Sequence, residues 1–250
     1  MREGRERRRG LPLEATSEPD LSVVMPVYRE AAILPAVLAA WSAALDGAGI
    51  DYELRAYDDG SPDESLALLR ERAAADPRLI VASHANVGHG PTLLRGYGEA
   101  RARWVLQIDS DDELPPEPFL ELWKGREALD FGVAVRAFGR RRADRRALSL
   151  LARLVVRAAF GPGLRDPNAP YRLMRGSWLR DALRRLPEQA FAPNVLLAGL
   201  AIRDGIRLRE VPVAARPRRT GVSSLGGSAL WRGAWRSLRE TLGVARGRRR

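Results

Sequence analysis

From Leu21 onward, short apolar runs alternate with segments whose apolar residues recur at helical spacing, and few folds accept that alternation. Leu21-Ser-Val-Val-Met-Pro-Val27 reads as a buried strand. Ile33, Leu34, Val37, Leu38, Trp41 and Leu45 then mark one side of a helix. A second strand is expected over Asp51–Tyr57, followed by a helix opened by Pro62 and running to about Ala75. Leu79–Ser83 is a third strand, Pro91–Arg101 a helix, and Trp104-Val-Leu-Gln-Ile108 a fourth strand that ends in a run of acids. Strands separated by helices of this length form a parallel sheet with helices on both faces.

The second half is less regular. A strand is expected at Phe131–Val135, then an Arg-rich helix, a Gly/Pro loop at Gly161–Pro170, and helices at Gly176–Arg185 and Asn194–Asp204. A strand at Ile206–Val213 precedes a polar loop, Ala214–Gly227, and a last helix over about Ser228–Val244. The expected division is a basic tail at residues 1–20, one α/β domain at 21–227, and a C-terminal amphipathic, basic helix and tail at 228–250.

Composition removes several chemistries. With no cysteine, the chain has neither disulfide, zinc-thiolate site nor cysteine nucleophile. His84 and His89 are the only histidines, so a bound metal must be held mainly by oxygen. The formal charge of +11 comes almost wholly from arginine, Lys124 being the one lysine. Such an excess fits a GC-rich coding sequence as well as a polyanionic partner such as nucleic acid, an anionic membrane surface or a phosphorylated substrate. The first 20 residues are charged and lack the apolar centre of a secretory leader, and no stretch approaches the ~20 apolar residues of a membrane span. A cytoplasmic protein, peripheral on the inner face of the cell membrane if attached at all, is the expectation.

In open parallel sheets, ligands bind beyond the carboxyl ends of the strands. Three polar clusters fall there. Asp58-Asp59-Gly60-Ser61-Pro62-Asp63 follows the second strand, and by itself it would also make an ordinary capped turn. Asn86-Val87-Gly88-His89-Gly90 opens the next helix, where glycines and a helix N-terminus can receive a phosphate; a plain glycine loop is the alternative. Asp109-Ser110-Asp111-Asp112-Glu113 follows the fourth strand. Strand residues two apart share a face at about 6.6 Å, room for one hard cation between Asp109 and Asp111. Acids favoured by a helix dipole are the alternative, but the strand before them is too apolar for surface decoration.

Taken in order, these motifs resemble glycosyltransferase family 2, and within it the dolichyl- or polyprenyl-phosphate sugar synthases. Val24-Met-Pro-Val-Tyr-Arg-Glu30 is similar to the family's opening strand, and the three clusters to its base, Asn-x-Gly-x-Gly and metal motifs. The resemblance covers about Leu21–Leu225. It implies a GT-A fold (a Rossmann-like, mostly parallel sheet flanked by helices), Mg²⁺ or Mn²⁺, and a UDP- or GDP-linked sugar transferred with inversion. By the same resemblance Pro26, Tyr28 and Glu30 line the nucleotide pocket with Asn86, Gly88 and Gly90, and Asp58 faces the base. Asp109 lies near the sugar and ribose, and Asp109, Asp111 and Glu113 form the metal set. Asp166-Pro-Asn-Ala-Pro-Tyr-Arg172 is similar to the family's acceptor-side stretch, implying roles for Asp166 and Arg172. Arg218-Arg-Thr-Gly-Val-Ser-Ser-Leu225 looks like the loop that closes on the diphosphate, with Arg218 neutralising the leaving group. Two positions depart from the pattern: Glu113 stands where glutamine is common, and Ser224 where lysine is expected.

If the acceptor is a phosphate monoester, such as a polyprenyl phosphate, its oxygen is already ionised and no protein base is needed; for a hydroxyl acceptor, Asp166 is the candidate base and Asp112 the reserve. Trp231, Trp235, Leu238 and Leu242 share one side of the last helix, flanked by Arg232, Arg236 and Arg239. That is the pattern of a membrane-surface helix, and equally of a helix packed on its domain. A nucleic-acid-binding protein is the non-enzyme rival, disfavoured because only 6% of residues are aromatic and most sit in core positions. A nucleotidyltransferase is the rival enzyme: it would share the acids but release pyrophosphate.

Overall fold

The computed structural model describes residues 18–136, 143–214 and 228–247. Four parallel strands make its first half: β1 (Leu21–Val27), β2 (Tyr52–Asp58), β3 (Leu79–Ser83) and β4 (Trp104–Gln107). They are joined by α1 (Leu34–Gly47), α2 (Ser65–Ala75) and α3 (His89–Glu99). β1 is buried along its whole length because helices cover both faces of the sheet. Leu21, Val23, Met25 and Val27 pack with Leu34, Val37, Leu38 and Trp41 of α1, while Val24 points the other way, against Leu93 and Tyr97 of α3. Trp41 is 2% exposed, and burying a side chain of that size stabilises the fold by about 2–3 kcal/mol.

Beyond β4 come α4 (Glu117–Lys124), β5 (Phe131–Arg136) and α5 (Ala143–Phe160). β6 (Arg172–Arg175), α6 (Gly176–Leu183), α7 (Pro193–Arg203), β7 (Leu208–Val213) and α8 (Ser228–Ala245) complete the chain. The sheet order is β3-β2-β1-β4-β6-β5-β7. β6 runs antiparallel to both of its neighbours, β4 and β5, and β5 pairs with β7 in parallel. The expected α/β, mostly parallel sheet is therefore present.

No strand was expected at Arg172–Arg175. Four residues with arginine at both ends carry no apolar run, and only the pairing of Gln107 with Arg172 and of Trp104 with Arg175 makes them a strand. The antiparallel insertion matters, because it brings the start of β6 to the same edge as the carboxyl ends of β1, β2 and β4. On one face α7 is buried nearly along its whole length, as a helix apolar all round must be, and it is packed against both α5 and α8, which also touch each other.

Candidate functional site

At the carboxyl edge, the segments after β1 and β2 are laced together. The backbone N–H groups of Arg29, Glu30 and Ala31 donate to Ser61 Oγ (3.1 Å), Ser65 Oγ (3.0 Å) and Asp63 Oδ2 (3.3 Å). Asp63 also receives the N–H and hydroxyl of Ser65 at the start of α2; desolvation pushes its carboxyl up, but these hydrogen bonds and that from Ala31 N–H together hold it below the ordinary range. Asp58 is 1% exposed; its two oxygens accept from Ser61 N–H (3.2 Å) and Ser83 Oγ (2.9 Å). Glu30 is buried, while Tyr28 is 36% exposed.

Asp59, which drew no role from the sequence, locks the third loop. Its carboxylate accepts from Val87 N–H (2.8 Å) and Gly88 N–H (3.1 Å), and its backbone carbonyl accepts from Asn86 Nδ2 (2.9 Å). Asn86 and Gly88 thus shape the loop from within, with these three N–H groups already engaged. Gly60 has φ +66°, and a Cβ there would lie 2.8 Å from Asn86 N, so only glycine lets the two loops meet. Gly90 begins α3 against the backbone of Ala190 and Phe191, where a Cβ would come within 2.3 Å of Ala190 O.

The acidic segment after β4 corrects one expectation. β4 ends at Gln107, the chain bends from Ser110 onward, and Asp112 takes a left-handed φ of 55°, so strand spacing does not govern Asp109 and Asp111. Ser110 is buried and donates to Pro26 O (3.0 Å), tying the acids to the end of β1. Asp111 Oδ1 accepts Glu113 N–H (3.1 Å), and Glu113 is 8% exposed. Among the described residues no three acidic or histidine side chains gather as a cation cage, so Asp109, Asp111 and Glu113 are not a preformed set. The donors present still fit Mg²⁺ or Mn²⁺: Asp109 and Asp111 are half-buried carboxylates and Glu113 a buried one, and such a cation takes one or two of them and completes its shell with phosphate oxygens and water.

Asp166 and Arg172 arrive from the other side. Asp166 is 9% exposed and accepts Asn168 N–H (3.3 Å) on its carboxylate, closing a turn. Arg172 is 0% exposed. Its Nε donates to Ala169 O (3.0 Å), Nη1 to Asn194 O (2.9 Å), and Nη2 to Pro167 O (3.4 Å) and again to Ala169 O. Burial lowers its pKa, opposed by Tyr97 and by the charges of Asp166 and Asp109. The structure therefore joins Asp109, Asp166 and Arg172, but as two acids around a buried cation whose hydrogen bonds go to backbone carbonyls. Arg172 braces the Pro167–Ala169 turn against α7. Tyr171, next to it, donates to Pro116 O (3.3 Å) and stacks edge-on with Trp41 at 5.5 Å, anchoring the same edge to the core. Arg218 and Ser224 lie outside the described residues.

Sequence reasoning passed over Asp59, Gln107, Tyr97 and Asn194, all buried and all hydrogen-bonded to site residues or to one another. Only Gln107 carried a signal, as an amide inside an otherwise apolar strand.

Residues 22–183 match Glycosyl transferase family 2. The undecaprenyl-phosphate 4-deoxy-4-formamido-L-arabinose transferase of Pseudomonas paraeruginosa is 33% identical over 184 residues, 72% of this chain and 54% of that protein. Its namesake from Shewanella sediminis is 31% identical over 210 residues, 82% of this chain and 62% of the relative. The chain spans a little over half the length of these curated relatives. Among solved structures, glucosyl-3-phosphoglycerate synthase of Mycobacterium tuberculosis, crystallised with Mn²⁺, UDP and glucosyl-3-phosphoglycerate, superposes with a TM-score of 0.64 at 22% identity, covering 92% of this chain and 81% of that one. S. aureus TarS 1–349 with UDP gives 0.55 at 20% identity, covering 77% and 57%. These likenesses show a GT-A fold, and with the family match they make the chain a member of glycosyl transferase family 2.

Proposed function

We propose that this protein transfers a sugar from a UDP- or GDP-sugar to a polyprenyl phosphate, with a divalent cation, Mg²⁺ or Mn²⁺, on the diphosphate. The observation that carries this reading is the convergence of Asp58, Asp109, Asp111 and Asp166 on one edge of the sheet, around the ends of β1, β2, β4 and the start of β6. Curated relatives named for undecaprenyl phosphate support the acceptor, and related folds solved with UDP and Mn²⁺ support the donor and the cation. Asp58 takes the base, Pro26, Tyr28 and Glu30 wall the nucleotide, and Asp109 meets the ribose and sugar. Asp111, with Asp109 or Glu113, holds the cation, which supplies charge neutralisation for the departing diphosphate.

In that arrangement the acceptor oxygen attacks the anomeric carbon from the side opposite the diphosphate. A carbon–oxygen bond forms as the bond to the nucleoside diphosphate breaks, and configuration inverts. A phosphate acceptor brings its own anionic oxygen, so Asp166 need not take a proton; it orients the acceptor beside Arg172. Arg218, outside the described residues, is assigned to the closing loop.

A lipid acceptor calls for a membrane-facing side, and α5 with α8 fits it. Leu150, Leu151 and Leu154 of α5 and Trp231 and Trp235 of α8 are exposed, the two tryptophans at 66% and 63%, with exposed Arg153, Arg157, Arg232 and Arg239 among them. Gly233, Thr241 and Val244 face the domain, so α8 is packed on its partner helices and still presents its tryptophans outward. No helix among the described residues is long and apolar enough to cross a membrane.

The test is calorimetric titration of UDP, GDP and their sugars with Mn²⁺, followed by nucleoside diphosphate release on vesicles containing undecaprenyl phosphate. Binding by the parent and its loss in Asp109→Asn are expected. A parent that binds neither nucleotide, or an Asp111→Ala variant with full activity, would sink the scheme.

A further inference from the structure

We propose that Gln107, backed by Tyr97 and Asn194, is a positioning residue that aims the Asp109 carboxylate before the donor arrives; this rests on the donor-site reading above. Gln107 is 0% exposed in the centre of the sheet. Side chains alternate along β4: Trp104 and Leu106 pack toward α1, whereas Val105 and Gln107 look toward α3 and α7. An amide there costs several kcal/mol unless its polar atoms are met. They are met. Gln107 Nε2 donates to Asp109 Oδ1 at 3.1 Å, and Gln107 Oε1 accepts from the Tyr97 hydroxyl at 2.9 Å.

The Tyr97 oxygen also lies 2.9 Å from the side-chain amide of Asn194. A phenol has a single proton and cannot donate to both amides. The carboxylate of Asp109 decides which it serves. It needs a donor, so Gln107 turns its NH₂ to Asp109 and its carbonyl to Tyr97; Tyr97 therefore donates to Gln107 and accepts from Asn194. The atom 2.9 Å from the Tyr97 oxygen is Asn194 Oδ1, and since amide oxygen and nitrogen are interchangeable in shape, the relay assigns the amide turned over, with its NH₂ toward Tyr97. The result is a relay of one polarity, Asn194 to Tyr97 to Gln107 to Asp109, drawn from α7, α3 and β4. Each bond in such a chain polarises the next, and all of them end on one carboxylate. The relay spares the site the ordering of that side chain when the donor binds.

The experiment compares the full-length parent with Gln107→Leu and Tyr97→Phe. In crystals grown alike, the Asp109 carboxylate is expected to move by about 1 Å or more in Gln107→Leu, beyond the tolerance of a working site. An Asp109 carboxylate that keeps its position in Gln107→Leu overturns the proposal, whatever the ligand. With UDP present, Mn²⁺ affinity should fall about tenfold in Gln107→Leu, the low end for residues that orient metal-site ligands, and about threefold in Tyr97→Phe, which acts one hydrogen bond further out. Should Gln107→Leu fail to fold, Tyr97→Phe decides: it keeps the ring in the core and removes only the hydroxyl. In its crystals the Asp109 carboxylate should shift as well, which a purely structural role for the phenol would not produce; an Asp109 carboxylate left in place by Tyr97→Phe refutes the relay. If the parent itself binds neither UDP nor GDP, the donor reading fails while the crystal comparison still decides this one.

Discussion

Replacing Arg172 by methionine removes a guanidinium that is 0% exposed and hydrogen-bonded to the backbone carbonyls of Pro167, Ala169 and Asn194. Methionine fills most of the volume, so the loss is polar and not a cavity. Asn194 lies in the first turn of α7 and its carbonyl keeps a helical N–H, so two carbonyls lose their donor, and at about 1–3 kcal/mol each that gives about 2–6. Part of this returns, because a buried charge no longer has to be desolvated, and burial is what lowers the pKa of Arg172. A net loss of about 3–5 kcal/mol is expected, the range found when one member of a buried charged network is removed. For a chain of this size that is a fall in Tm of roughly 6–20 °C at about 2–4 °C per kcal/mol. Urea denaturation followed by circular dichroism measures it. Arg172→Lys should recover only a minor part, since one ammonium cannot span three carbonyls held in a fixed fork. A loss below about 1 kcal/mol in Arg172→Met would refute the reasoning, because water or a relaxed loop would then be meeting those carbonyls.

The remaining expectations concern the membrane-facing helices and acid stability. Trp231→Ser/Trp235→Ser should co-sediment with vesicles containing anionic lipid at least tenfold more weakly than the parent, with Tm unchanged, given the area two exposed tryptophans can bury; unaltered sedimentation would remove α8 from the docking face. Asp130 is held well below the usual carboxylate range, first by its hydrogen bond to Arg207 and further by Arg175, with desolvation opposing. A depressed folded value contributes stability above the unfolded pKa near 3.9 and loses it as pH falls below. Asp130→Asn should therefore be less stable than the parent at neutral pH, and the gap should close below about pH 4. An equal gap at both ends of that range would exclude the ion pair as its source.

Much of the first half is legible because its signals are local. β1 and β3 begin and end where their apolar runs do, and α1 follows the spacing of Leu34, Val37, Leu38, Trp41 and Leu45. The three polar clusters fall at strand ends for the same reason: a parallel sheet must put its loops there. Legibility fails where an element is made by its neighbours. β6 has no apolar pattern and exists because β4 and β5 pair with it on either side. The apolar run before Asp109 and Asp111 implies strand spacing, yet the strand stops at Gln107 and the chain bends.

The family and the parallel sheet thus follow from the order of motifs and from periods of two and three to four residues, which covalent neighbours carry. The inner life of the site does not. Asp59 reaches Val87 and Gly88 across 28 and 29 positions, and Tyr97 meets Asn194 across 97. Contacts of that kind form only once the sheet has closed, so a sequence shows the acids of this site while the folded chain alone decides which of them are braced, which are aimed, and that Arg172 faces inward.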